Sequence, residues 1–192
     1  MANPFKSILN LIAENFKKDA SKMLIWTGVA GWTLSSMAQI SAVLFNPKIS
    51  DEKKSFLIPQ EVADALVNIG GFFLITQFAK NSSAKLFSTG KIAPKKVINY
   101  LLKNNIVEKN KIGNLDTNLD ILLKGCPRNI EKDYFACKDF GKTVATIGAG
   151  IFASNIVTPI VRNNMASKIQ KNYIDAKKPK TQPTFKSHNL RI

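Results

Sequence analysis

Residues 23–45 read MLIWTGVAGWTLSSMAQISAVLF, an unbroken run without a charge. As a helix rising about 1.5 Å per residue, the run reaches roughly 34 Å, enough to cross a hydrocarbon core of about 30 Å. Lys22 and Lys48 bracket it, and Asn46-Pro47 supplies a stop. Ser35, Ser36 and Gln39 dilute it, so the competing reading is a buried helix of a soluble protein. We read it as a membrane span.

Working outward, Lys48 to Phe56 is a polar loop and Pro59 looks like the start of a second long helix. Its charge-free part, 65–79, is short. It becomes a span when Val62 and Ala63 are counted and Glu61, Asp64 and Lys80 lie at the interface. Residues 23–79 then form a two-helix apolar hairpin, with the second helix the more marginal. A third apolar segment, TVATIGAGIFASNIVTPIV at 143–161, lies between Lys142 and Arg162. Gly148, Gly150, Ser154, Asn155 and Pro159 soften it, so it either spans or is re-entrant.

The flanks are polar. In residues 1–22, Asn3-Pro4 reads as a helix start, and Phe5, Ile8, Leu9, Ile12 and Phe16 recur at helical spacing. This amphipathic helix either lies on a membrane surface or packs on the rest of the protein. It does not read as a cleaved signal peptide, because the apolar run begins behind Glu14 and Asp19. Residues 80–142 read as a basic helical subdomain. One short helix follows Pro94-Lys95-Lys96 through Val97, Ile98, Leu101 and Leu102, and another covers 116–123, ended by Gly125 and Pro127. Residues 162–192 read as a basic tail, disordered in composition from about Lys177. No strand alternation stands out, so the fold class is all-α: a membrane helical hairpin plus a third apolar helix.

Charge narrows the partners. The chain carries 28 Lys and Arg against 13 acidic residues, a net charge of +15. That excess favours anionic partners. Only Arg128, Arg162 and Arg191 are arginines, so base-specific nucleic-acid readout is disfavoured. The pairs Lys17-Lys18, Lys95-Lys96 and Lys177-Lys178, like Lys53-Lys54, read as anchors facing anionic lipid. Aromatics are not interleaved with them as stacking platforms on nucleic acid would require.

Loop charges suggest sidedness. Three spans would leave 17 cations on one side and 11 on the other, whereas a two-span hairpin would leave 25 and 3. In both arrangements the amino terminus and residues 80–142 are cytoplasmic.

Motifs point to packing. Gly148, Gly150 and Ala153 spell G-x-G-x-x-A, but no strand ending in an acid follows, so a dinucleotide site is rejected. Ala145, Ala149 and Ala153 share a face beside Gly150, and Gly28 with Gly31 and Gly70 with Gly71 offer further close approaches between helices. Asn68 and Asn155, with Gln39, are candidates for hydrogen bonds across helices. Asp64 is either an intramembrane carboxylate or, the reading preferred, an interfacial or helix-start acid. Trp26 fits an interfacial belt, and Trp32 lies too deep for one. Cys126 and Cys137 read as ordinary thiols, and His188, the sole histidine, leaves a zinc site without ligands. Neither a cofactor nor a metal is expected.

The composition therefore reads as a non-enzymatic multi-pass membrane protein with a structural or assembly role, homo- or hetero-oligomeric, bound to anionic lipid. The alternatives are a virion-associated protein with buried apolar helices and cations facing nucleic acid, for which the Lys-, Asn- and Ile-rich, A/T-codon composition speaks, or a small holin-like pore.

Overall fold

The computed structural model describes residues 13–17, 19–165 and 168, and no strand occurs among them. The chain is all-α. Helix α1 spans Ala20–Leu44, α2 spans Asp51–Ser88, α3 spans Lys95–Lys103, α4 is the single turn Leu119–Leu122, and α5 begins as Arg128–Phe152. Through a π turn at Ala153–Val157, α5 runs on as one helix to Met165. The three long helices pack on one another as a bundle. The segment between α2 and α5 folds as a cap at one end.

Local chemistry sets the ends. The Asp19 carboxylate accepts from the Lys22 backbone N–H and caps α1. Asp51 and Glu52 occupy the first turn of α2, where the helix dipole favours acids. That helix stops at Gly90, whose φ of 87° is open to glycine at little cost, and whose N–H donates to the Phe87 carbonyl. Pro94 and Pro127 sit immediately before α3 and α5, where a missing N–H costs nothing.

The cap holds the larger apolar core. Val97, Leu101, Leu119, Leu123 and Tyr134 are fully buried there, with Val107 and Ile130 beside them. The short helix expected after Pro94 is α3, and its buried Val97 and Leu101 lie one turn apart on the inner face.

Several boundaries differ from the sequence reading. Pro59 does not start the second helix but lies inside α2, which begins eight residues earlier at Asp51. The expected polar loop 48–56 is mostly helix, because the acidic first turn, Asp51 and Glu52, starts α2 before the proline is reached. Asp64, thirteen residues into α2, is accordingly no helix-start acid. The third apolar segment is the second half of one continuous helix that begins in the expected basic subdomain at Arg128. The helix expected over 1–22 does not run unbroken: the described part, Ala13–Phe16, ends before Asp19 caps α1. Of the expected tail, 162–165 continue α5, while residues 1–12, Lys18, Lys177, Lys178, His188 and the tail beyond Met165 other than residue 168 lie outside the described residues.

The ranking of apolar segments also changes. Among the described residues, α2 and the helix Arg128–Met165 are long and apolar enough to cross a membrane, and α1 is not in that group. Freedom from charge is not apolarity. Thr27, Ser35, Ser36 and Gln39 dilute the best stretch of α1, whereas α2 and α5 each hold a stretch that is more apolar, although averaged over its whole length α1 is the most apolar of the three.

Candidate membrane interface

Three sets of contacts fix the register of the bundle. At the start of α1, Asp19 lies 2.7 Å from Lys80 Nζ on α2 and 4.0 Å from Lys142 Nζ on α5. Further along, the Phe72 ring fills the space beside both Gly28 and Gly150. Further still, Arg162 Nε on α5 lies 2.9 Å from Asp64 Oδ2 on α2. Numbers rise together on α1 and α5 and fall on α2, so α2 is antiparallel to the other two. Between the two charged ties, α2 advances sixteen residues and α5 twenty. At about 1.5 Å per residue these are roughly 24 and 30 Å, close to a hydrocarbon thickness.

The belt between the ties is apolar outside and small or polar inside. Leu34 and Met37 on α1, Leu66, Leu74 and Phe78 on α2, and Ile151 and Ile160 on α5 are all exposed, Phe78 at 73%. The buried positions of the same helices include Ser21, Ser36, Asp64, Asn68, Thr76, Ser83, Thr146 and Thr158, with Ile25 and Ala153 among the few apolar ones. The most apolar stretches of α2 and α5 are only 22% and 17% buried. A soluble core helix would bury its large apolar side chains first.

Two of the interior hydroxyls are satisfied within their own helices. Thr76 donates to the Phe72 carbonyl at 2.7 Å and Thr146 to that of Lys142 at 2.8 Å. Asn68 differs: its Oδ1 is buried with no hydrogen-bond partner among the described residues.

The tie at Asp19 is well built. Ser21 Oγ donates to Asp19 Oδ1 at 2.6 Å, and the Lys80 and Lys142 side chains are each 14% exposed. Partial burial works against the charge. The hydrogen bonds from Lys80, Ser21 and the Lys22 backbone, with the Lys142 charge, outweigh it and hold the carboxyl at about 2.

A second network joins the cap to the bundle. Asp120 on α4 accepts from Tyr134 Oη and Lys138 Nζ on α5, each at 2.7 Å, and Ser88 Oγ at the end of α2 lies 2.9 Å away. Burial raises the Asp120 carboxyl, but the hydrogen bonds from Lys138, Tyr134 and Ser88 pull it below the ordinary value. Burial first, then the bond to Asp120 and its negative charge, push the Tyr134 phenol well above 10. Tyr134 is thus a fixed donor.

The residues singled out from sequence separate into groups. Gly28 and Gly150 are true close approaches: a Cβ on Gly28 would lie 2.3 Å from Phe72. Gly31, Gly70, Gly71 and Gly148 have nothing within 4 Å of that position. Ala153 is buried, and Ala145 and Ala149 are half-buried. Asn155 is exposed and donates to its own helix at Ile151, so it does not reach across. Asp64 and Asn68 are buried one turn apart on α2. Lys17 pairs with Glu14 and Lys96 with Asp133, while Lys95 is exposed. Cys126 and Cys137 are both free. Among the described residues no group of three His, Cys, Asp or Glu side chains gathers as a metal site.

Sequence reasoning missed Phe72 and Phe87, whose rings face Gly28 and Gly141, and it missed the ties of Asp19 and Asp120. One signal was available: Lys22, Lys80 and Lys142 each border an apolar run, which marks a shared level. The π turn left no such signal. Thr146, Gly150, Ala153, Thr158 and Arg162 follow the inner face, and the five-residue step from Ala153 to Thr158 coincides with that turn. The wider turn keeps Arg162 on the side of Asp64.

No protein-family model matches the chain, and neither a curated protein nor a solved structure is detectably similar to it.

Proposed function

We propose that the protein is a multi-pass integral membrane protein whose bundle α1, α2 and α5 crosses the bilayer, and whose basic cap rests on the cytoplasmic face. Its role is non-catalytic: a structural or assembly component acting through helix packing. The observation that carries this reading is the inverted bundle, with exposed Leu66, Leu74, Phe78 and Ile151 outside and buried Ser36, Thr76, Thr146 and Thr158 inside. In lipid, apolar side chains lose nothing by facing outward, and small or hydroxyl residues let helices approach. The two charged ties support it by their spacing. The Asp64–Arg162 pair lies at the far end of the belt, which under this reading is head-group level and favours anchoring over ion transport. With the third helix crossing, the amino terminus and residues 80–142 share the side carrying 17 of the 28 cations.

The test is alkaline carbonate extraction of membranes from cells expressing the full chain, followed by thiol labelling. The protein is expected in the pellet, released by detergent alone. Exposed Cys137 in the cap is expected to react with a permeant maleimide in intact cells, and with an impermeant one only after lysis. Release by carbonate would sink the membrane reading and favour an assembly in which protein covers the belt and the cations face nucleic acid. Labelling of intact cells by the impermeant reagent would reverse the sidedness.

A further inference from the structure

From the end of α2 we infer a binding site for the phosphate of one anionic phospholipid, an inference that rests on the membrane reading above. A shallow groove of about 300 Å³ is lined by Ser82, Lys85, Leu86, Thr89, Lys91 and Leu115. Its place in the bundle is the first argument. At about 100° per residue, Leu74, Phe78 and Lys85 fall within roughly 40° of one another on α2. Leu74 and Phe78 are among the most exposed apolar residues of the belt. An acyl chain lying along them therefore brings its head group to Lys85, about 7 Å beyond the level of Lys80, where charged residues begin.

The chemistry of the lining is the second argument. Lys85 and Lys91 make no ion pair among the described residues, whereas Lys80, Lys138 and Lys142 are all engaged by carboxylates. No acidic side chain lines the groove, and Ser82 adds a hydroxyl donor. The third argument is rigidity. The Gly113 N–H donates to the Thr89 carbonyl at 2.7 Å, pinning the 112–116 turn to the end of α2. The Lys91 side chain lies across Gly113, and Leu115 protrudes beside it, 72% exposed. An exposed leucine flanked by two unpaired lysines at the edge of an apolar belt suits the boundary between acyl chains and phosphates.

The experiment is native mass spectrometry of the full chain in detergent, titrated with phosphatidylglycerol, phosphatidylcholine or inorganic phosphate. Wild type is expected to retain one phosphatidylglycerol in preference to phosphatidylcholine. Lys85→Gln/Lys91→Gln is expected to bind it about thirtyfold more weakly, two head-group cations being lost. The control Lys103→Gln/Lys124→Gln, with the same charge change on exposed cap positions, is expected to match wild type. Equal loss in both double variants would mean diffuse attraction and would overturn the site. So would equal retention of phosphatidylcholine, or displacement of the lipid by millimolar inorganic phosphate. A wild-type protein that resists carbonate yet shows no lipid selectivity defeats the site alone. A wild type that washes off membranes defeats the membrane reading and the site together.

Discussion

The cap and the bundle bury opposite kinds of residue. In the cap, Val97, Leu101, Leu119 and Leu123 are fully enclosed and lysines line the outside, the ordering expected where water is the solvent. In the bundle, serines, threonines, an aspartate and an asparagine are enclosed, and leucines and phenylalanines face outward. One chain thus follows two burial rules, and the change occurs near Lys80 and Lys142, at the Asp19 tie. The difference lies in burial pattern more than in total hydrophobicity, and it is the contrast on which the proposed membrane reading rests.

The largest expected effect tests that contrast directly. Leu101→Ala in the cap removes a fully buried side chain and is expected to cost about 3 kcal/mol. Leu74→Ala on the belt, 67% exposed, is expected to cost under about 1 kcal/mol in detergent. Thermal melts by circular dichroism in micelles measure both. Equal costs would mean that protein, and not lipid or detergent, covers Leu74.

Next in size is the junction of the two regions. Lys138→Met leaves Asp120 partly buried without its cation and is expected to cost about 2 to 3 kcal/mol. Tyr134→Phe removes one hydrogen bond to the same carboxylate and is expected to cost about 1.5 kcal/mol. Hydrogen exchange should show both losses in cap amides before those of the belt. Exchange rising first in the belt would show that the cap does not open as a separate unit.

Inside the bundle, Gly28→Ala presses a methyl group into the Phe72 ring and is expected to cost about 1 to 2 kcal/mol. Phe72→Leu added to it should recover part of that loss. A double variant no better than the sum of the two singles would remove Phe72 as the wedge between α1 and α5.

The smallest effect is the response to acid. Asp19 titrates at about 2 in the fold, below the roughly 3.9 of an unfolded aspartate. Its stabilisation is therefore complete above about pH 4 and is lost as pH falls through about 2. Asp120, also lowered, adds a loss of the same sign in the cap. The melting temperature should be flat from pH 7 to 5 and fall below 4. The gap between wild type and Asp19→Asn, clear at pH 7, should narrow at pH 3. A gap independent of pH would show that the Asp19 tie acts by shape and not by charge.

Much of the fold was legible because helices are local. Charge-free runs at 23–45, 65–79 and 143–161, the Pro94 start with Val97 and Leu101 at helical spacing, and the stop at Gly125-Pro127 all lie within short stretches of chain. Pro59 misled because a proline seen alone marks a first turn, whereas α2 has already started at its acidic first turn, Asp51 and Glu52, and runs through it. The glycines misled by half. Gly28 and Gly70 look equivalent in sequence, and only the position of Phe72 separates them.

By itself, then, the sequence determined that this protein is helical, basic, and built around three apolar segments set off by lysines, because helical period and charge spacing are properties of neighbouring residues. Only the tertiary structure decided which acids meet which bases. Asp19 reaches Lys80 and Lys142, Asp120 reaches Lys138, and Asp64 reaches Arg162, across separations of 18 to 123 residues. It also decided that the bundle is small and polar inside while the cap is apolar inside. Such partnerships depend on how the helices are rotated against one another, and that rotation is set by side chains such as Phe72 entering spaces that glycines on other helices leave open.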